Sequence, residues 1–339
     1  MPISPNTDSQ NQWPALITAL RAAKHLAIFT HQRPDPDAVG SQVGLASVLS
    51  QAAKTGALIE FPPVPESMNF ILGSSPWPVV DFSADWVNTQ AAHFDTIVVV
   101  DTSSREQVLP AFEWLDASSH RLLCIDHHLA ADIKARCLYR DSTAGSCAEI
   151  IVRLAEEFGG LNLAAANALL AGITADTGWF HFESTSAGTL QAASACVAAG
   201  AQPDELWNRL MQQDSVAKWR LAGRALQTTL YALDGRLALM CIKQDDFVQS
   251  GAKSWETEGL INFPLSIAAV AASVCLAEQP DGVLRVSLRS KHTINVAEIA
   301  AEFGGGGHAR AAGCRIAMPI EDACRALTAA FEKRFSKLQ

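Results

Sequence analysis

"HLAIFTHQRPDPDAVGSQVGLASVLSQAA", residues 25–53, runs from an apolar stretch long enough for one short strand into a stretch with helical apolar spacing. The turn between them holds His31, Asp35 and Asp37. Two further apolar runs end the same way. "TIVVVD" (96–101) stops at Asp101, and "RLLCIDHH" (121–128) stops at Asp126, His127 and His128. Strands this apolar are expected to be buried on both faces, and the helical patterns between them predict parallel strands joined by crossover helices. Polar groups at the carboxyl ends of such strands line the crevice in which α/β sheets take ligands. A fourth contribution comes from "AAANALLAGITADTGWF" (164–180), an apolar helix running into Asp176, with Gly178 loosening the backbone just after it.

The 339 residues suffice for two domains, and 49% hydrophobic with 18% charged residues describes a globular chain. A net charge of -9 argues against a protein that grips long nucleic acid through counterion release. A short anionic substrate stays compatible with it. The polar opening "MPISPNTDSQNQ" carries no signal-peptide pattern and no apolar stretch is long enough to span a bilayer, so a cytoplasmic protein without membrane association is expected. Eight scattered cysteines without a CxxC pair read as small buried hydrophobes.

The reading divides the chain into an N-terminal parallel-sheet domain with the polar cluster (1–189), a helical connector (190–229) and a smaller C-terminal α/β domain (230–339). The connector includes "PDELWNRLMQQDSVAKWRLAGRALQTTL", opened by Pro203 and Asp204. In the last domain "GRLALMCIK", "AAVAASVCLAE" and "GVLRVSLRS" read as strands, and "NVAEIAAEF" as a helix that ends at "GGGG", residues 304–307.

Taken one at a time, the polar residues have ordinary explanations: "PDPD" is a common turn, Asp101 before "TSS" suits a helix cap, and His127 and His128 suit a surface. Their coincidence at successive strand ends selects another reading. His31, Asp35, Asp37, Asp101, His127 and Asp176 are too many ligands for one open ion and the right number for two with shared carboxylates. Aspartate and imidazole together suit manganese, magnesium or iron. Two such ions serve in-line phosphoryl displacement. His25, His93, His120, His181 and His292 stand alone and read as core or surface residues. In the C-terminal domain four glycines remove every Cβ, so that the backbone amides of Gly305, Gly306 and Gly307 can form a nest for an anion. Arg289 supplies a planar fork for phosphate oxygens.

"HQRPDPDAVGS", "VVVDTSS", "IDHH" and "ADTG", in that order, resemble the four motifs of the DHH phosphoesterases, and "VSLRSK" with "GGGGHARAAGC" resembles their associated substrate-binding domain. The resemblance covers nearly the whole chain. It implies that His31, Asp35 and Asp101 hold one manganese, and that Asp37, His127 and Asp176 with the shared Asp101 hold the other. It further implies that Asp126 orients a ligating imidazole, and that His128 reaches the scissile phosphate. Arg289, Ser290, the Gly305–Gly307 backbone and His308 would hold the substrate's terminal phosphate and sugar; Arg310 is left open. The activity implied is hydrolysis of short oligoribonucleotides to 5'-mononucleotides and removal of the 3'-phosphate of 3'-phosphoadenosine-5'-phosphate. The alternatives are a cyclic- or linear-dinucleotide phosphodiesterase, a RecJ-like single-strand exonuclease and a non-catalytic nucleotide sensor. After "DTSS" the family often carries another acidic residue, where this chain has Arg105. The oligomeric state stays open, a homodimer being one state to test.

Overall fold

The computed structural model describes residues 7–129, 131–291 and 294–336. Residues 1–6 of the polar opening and the stand-alone His292 lie outside these. The chain forms two compact units, 1–212 and 213–339.

The first unit is built on a six-stranded, all-parallel sheet of β1 (His25–Phe29), β2 (Thr55–Glu60), β3 (Val79–Asp81), β4 (Thr96–Val100), β5 (Leu122–Asp126) and β6 (Cys137–Arg140), ordered β3-β2-β1-β4-β5-β6. The order reverses between β1 and β4, and crevices open at such switch points at the carboxyl ends of the strands. Alternate residues of β1 feed opposite cores. Leu26 and Ile28 join the core formed with the helices, whereas Ala27 and Phe29 join an aromatic core with Phe61, Trp86 and Phe94.

The Pro36–Gln51 helix starts in the turn after β1, with Asp35 as N-cap and Pro36 in the first turn, where its missing N–H costs nothing. It packs against the Leu163–Asp176 helix. Glycines set that distance: a Cβ at Gly40 would come to 2.3 Å from the Ala168 carbonyl oxygen, and one at Gly44 to 2.4 Å from the Leu169 side chain.

The segment expected to connect the domains does not stand apart. The Ala187–Ala198 and Pro203–Met211 helices pack on the Leu163–Asp176 helix within the first unit, and the Val216–Gln227 helix packs on the Leu237–Ile242 strand of the second. The helical run expected from Pro203 onward breaks at 212–215, where Ser215 caps a new helix by accepting from the Lys218 N–H. The second unit carries β7 (Leu230–Ala232), β8 (Leu237–Ile242), β9 (Ala272–Glu278), β10 (Leu284–Ser290), β11 (Gly306–His308) and β12 (Ala311–Ile316), ordered β11-β12-β10-β9-β8-β7. Only β8 and β9 pair in parallel. The Val296–Glu302 and Ile320–Phe335 helices complete its core.

Candidate metal and phosphate site

Six side chains from four places in the first unit converge at the carboxyl ends of β1, β4 and β5. Asp101 stands at the centre, 1% exposed, in the left-handed region at φ 61°. Such a conformation costs a non-glycine residue about 1 kcal/mol or more and persists where the surroundings enforce it. Its two oxygens serve different imidazoles. Oδ2 lies 3.4 Å from His31 Nε2, and Oδ1 lies 3.4 Å from His127 Nε2. His31 Nδ1 is 2.9 Å from the Gln32 carbonyl oxygen, to which it donates, so Nε2 is the nitrogen that faces Asp101, with a proton or with a cation in the proton's place.

His127 Nε2 meets two more carboxylates, Asp176 Oδ2 at 3.2 Å and Asp37 Oδ2 at 3.9 Å. Asp35, Asp101 and His31 form one cluster of donor atoms, and Asp37, His127 and Asp176 another; Asp101 also groups with His127 and His128. Asp101 Oδ1 and His127 Nε2 are buried and lack a hydrogen-bond partner among the described residues. Burial alone would raise the Asp101 pKa, but the two imidazoles reverse this and hold it at about 2. Burial opposes protonation of the histidines too, yet the carboxylates win: Asp101 lifts His31 to about 9, and Asp101 with Asp176 lifts His127 to about 12. These nitrogens strongly attract a cation. The hard oxygen and imidazole donors fit a divalent ion such as manganese or magnesium in the proton's place.

Asp37 has a second employment that its sequence position does not reveal. Fully buried, its carboxylate accepts from the Cys147 N–H at 2.7 Å and the Ala148 N–H at 2.9 Å, at the N-terminus of the Cys147–Ala155 helix. A carboxylate suits the positive end of a helix. Burial, with Asp101 and Asp176 nearby, nevertheless pushes its pKa well up. Gly172 leaves room for it, since a Cβ there would come to 2.6 Å from Asp37 Oδ1.

Asp126 orients an imidazole, but that of His128 and not the ligand candidate His127. Its Oδ1 lies 2.8 Å from His128 Nδ1 and accepts from the His127 and His128 N–H groups at 2.8 and 3.2 Å; Oδ2 accepts from Ser103 Oγ at 2.5 Å. This contact raises the His128 pKa. His128 is therefore cationic over more of the neutral range, with its side chain 47% exposed.

Two residues of this region went unread in the sequence. Ser103 pins Asp126. Glu60, at the carboxyl end of β2, is 1% exposed, with neither oxygen hydrogen-bonded among the described residues, and burial pushes its pKa to about 7. The strand-end rule that singled out Asp101 and Asp126 was the available signal for it.

In the second unit Arg289 lines a cavity of about 320 Å³ with Arg285 and Ser287 from the same face of β10, and with Trp255 and Thr257. Ser290 is turned away. Its hydroxyl donates to the Ile294 carbonyl at 2.6 Å and its N–H to the Arg310 carbonyl at 3.2 Å, so both of its donors are already committed within the fold. The glycine run is an edge strand and not an open nest, because Gly306–His308 pairs with β12. A Cβ at Gly305 would come to 2.2 Å from the Gly313 carbonyl oxygen, and one at Gly307 to 2.6 Å from that of Ala311; one at Gly306 would meet nothing within 4 Å. His308 is exposed, and Arg310 donates to the Ile294 carbonyl at 2.9 Å.

Comparison with known proteins finds the DHH family, N-terminal domain, at residues 25–173 and the DHHA1 domain at residues 240–337. The chain is 31% identical to the bifunctional oligoribonuclease and PAP phosphatase NrnA of Bacillus subtilis, over 89% of this chain and 92% of that one. It is 27% identical to the Thermus thermophilus protein of the same name, over 85% and 83%. Among solved structures, an exopolyphosphatase-related protein from Bacteroides fragilis superposes with a TM-score of 0.83 at 25% identity, over 98% of both chains.

Proposed function

The chain belongs to the DHH family, and from that premise we propose a phosphoric ester hydrolase that degrades short oligoribonucleotides to 5'-mononucleotides and removes the 3'-phosphate of 3'-phosphoadenosine-5'-phosphate. The observation that carries this reading is the pair of Asp101 oxygens aimed at two different imidazoles, with further carboxylates around them. The names of the relatives support both activities.

We assign His31, Asp35 and Asp101 to one manganese, and Asp37, His127 and Asp176 with the shared Asp101 to a second. When bound, the ions lower the pKa of an attacking water and offset phosphate charge. The chain's own groups do the rest. His128, kept cationic by Asp126, offers a charge-assisted hydrogen bond to a phosphoryl oxygen as negative charge develops there. Asp126 acts through His128 and is a positioning residue. In the second unit Arg289, the Gly306 backbone and His308 take the substrate's terminal phosphate, so that binding energy away from the reacting bond positions it. That anchor favours substrates of about two to five nucleotides.

Among the described residues no helix is long and apolar enough to cross a membrane. The described cysteines are all free thiols, which suits the reducing cytoplasm where we place the protein.

The test is one preparation assayed with and without manganese on a 5'-phosphorylated dinucleotide, 3'-phosphoadenosine-5'-phosphate, a cyclic dinucleotide and RNA tens of nucleotides long. The reading expects manganese-dependent turnover of the first two. Preference for the cyclic dinucleotide would make the protein a cyclic-dinucleotide phosphodiesterase, preference for long RNA a RecJ-like exonuclease, and no turnover of any a sensor.

A further inference from the structure

Away from the polar cluster, two cysteines 83 positions apart meet in the second unit. Cys241 lies on β8 and Cys324 on the Ile320–Phe335 helix, and their sulfurs are 3.4 Å apart. Both line a groove of about 780 Å³, whose wall carries the exposed side chains of Leu230 and Tyr231 and the cationic heads of Lys243 and Arg325. Cys241 is half-buried and Cys324 is 8% exposed. Eight cysteines scattered through a chain ordinarily act as small apolar fillers. A thiol pair in contact at the wall of an open groove differs from them in reach and in having a second thiol beside it, while Lys243 and Arg325 are held by Glu321 and Asp322.

We propose that Cys241 and Cys324 are a thiol-modification site, closed to a disulfide by a two-electron oxidant of the peroxide class and bridged by a trivalent arsenical. The contact between the sulfurs holds the Cys324 thiol below its ordinary pKa and, together with burial, pushes that of Cys241 up, so Cys324 is the member of the pair that gives up its proton more readily. A thiolate is the attacking form. It attacks one oxygen of hydrogen peroxide, the S–O bond forms, the O–O bond breaks, and hydroxide leaves and takes a proton to become water. The Cys241 sulfur then attacks the sulfenic sulfur, the S–S bond forms, the S–O bond breaks, and a second water leaves. Two thiols lose two protons and two electrons, and one peroxide is reduced to two waters. The sulfurs must close from 3.4 Å to about 2.05 Å, a movement within reach of side-chain rotation. Closure ties β8 to the Ile320–Phe335 helix across a long loop, the case in which a cross-link restrains the unfolded chain most.

The experiment treats the full chain with a small excess of hydrogen peroxide under native conditions, blocks the remaining thiols in denaturant, and maps the peptides. The expected result is the loss of two thiols per chain, a 241–324 cross-linked peptide, unchanged monomer mass on a non-reducing gel apart from the two hydrogens, and a higher unfolding temperature reversed by dithiothreitol. Cys241→Ser and Cys324→Ser are each expected to keep all seven remaining thiols free of disulfide. Phenylarsine oxide provides a measurement on the unaltered protein: one arsenic per chain, protecting both cysteines from later alkylation. Retention of eight thiols, a disulfide between other cysteines or between chains, or arsenical binding unaffected by either serine variant would overturn the proposal.

Discussion

Asp101→Asn tests the assignment at its centre. The amide keeps the side chain's shape and tolerates the left-handed backbone, but removes the charge shared by His31 and His127. A carboxyl moved from 3.8 to about 2 contributes on the order of 2–3 kcal/mol of folding stability. Because this pKa is depressed, the contribution is complete above 3.8 and is lost as the pH falls through 2. The raised imidazoles work with the opposite sign: their share is complete below 6.5 and is lost only as the pH rises through about 9 for His31 and about 12 for His127. At pH 7 all three are in force. In chelator, the variant is therefore expected to lose about 2–3 kcal/mol against the wild type. Manganese at a hundred times its dissociation constant stabilises a binding-competent protein by about 2.7 kcal/mol, and the variant is expected to lose most of that increment as well. Urea unfolding followed by tryptophan fluorescence reads mainly the first unit, which holds six of the eight tryptophans, Trp219 and Trp255 being in the second. Turnover is expected to fall by at least about a hundredfold. A variant that kept the wild-type gain from manganese would refute the placement of Asp101 between two ions.

Asp126→Asn removes the contact that raises the His128 pKa, so the decline of kcat/KM on the alkaline side is expected to move to lower pH; an unmoved limb would separate His128 from the phosphate. Asp37→Ala leaves two buried N–H groups at a helix start without their acceptor, at about 1–3 kcal/mol each, partly offset by relief of carboxylate crowding, so it should destabilise even in chelator, as read by urea unfolding. Arg289→Ala should lower turnover of a 5'-phosphorylated dinucleotide at least tenfold more than that of bis-p-nitrophenyl phosphate; equal losses would give Arg289 a structural role. Gly305→Ala should lower the unfolding temperature, because its Cβ runs into the backbone of β12, whereas Gly306→Ala should fold normally and raise KM.

The strands that read clearly, β1, β4 and β5, are buried apolar runs at the middle of the sheet. Their neighbour β2 is equally buried but was hidden by Gly56 and Ala57. Close packing demands that glycine: a Cβ at Gly56 would come to 2.2 Å from the Leu26 carbonyl oxygen and 2.6 Å from the Trp77 ring. The compactness of the sheet thus erased the apolar signal that would have announced the strand. β3 and β6 are short edge strands with mixed burial and carry little periodicity. In the site, Asp126 and His128 were legible one by one at a strand end, whereas their contact was not, since the sequence pointed Asp126 at a ligating imidazole. Asp37 holding a helix start 110 positions away was not, because nothing local distinguishes a carboxylate that caps a distant helix. Ser290 was within reach of strand geometry, since neighbours on a strand face opposite ways and Arg289 already claimed the open face.

Asp37 shows why this cluster of carboxylates survives folding. Buried carboxylates repel one another and lose hydration, a cost repaid only where each has partners of opposite polarity. Asp101 has two imidazoles, Asp176 has His127, and Asp126 has His128 and the Ser103 hydroxyl. Asp37 has amide dipoles, which neither titrate nor leave, and it depends on Gly172 for the room to reach them. Its carboxylate is therefore fixed in place by the same contacts that start the Cys147–Ala155 helix, whichever cation sits beside it. The imidazoles can release their protons to water as a metal takes their place without loosening Asp37, since none of its short hydrogen bonds runs through them. Fold and chemistry share one carboxylate here, and its strongest bonds belong to the fold.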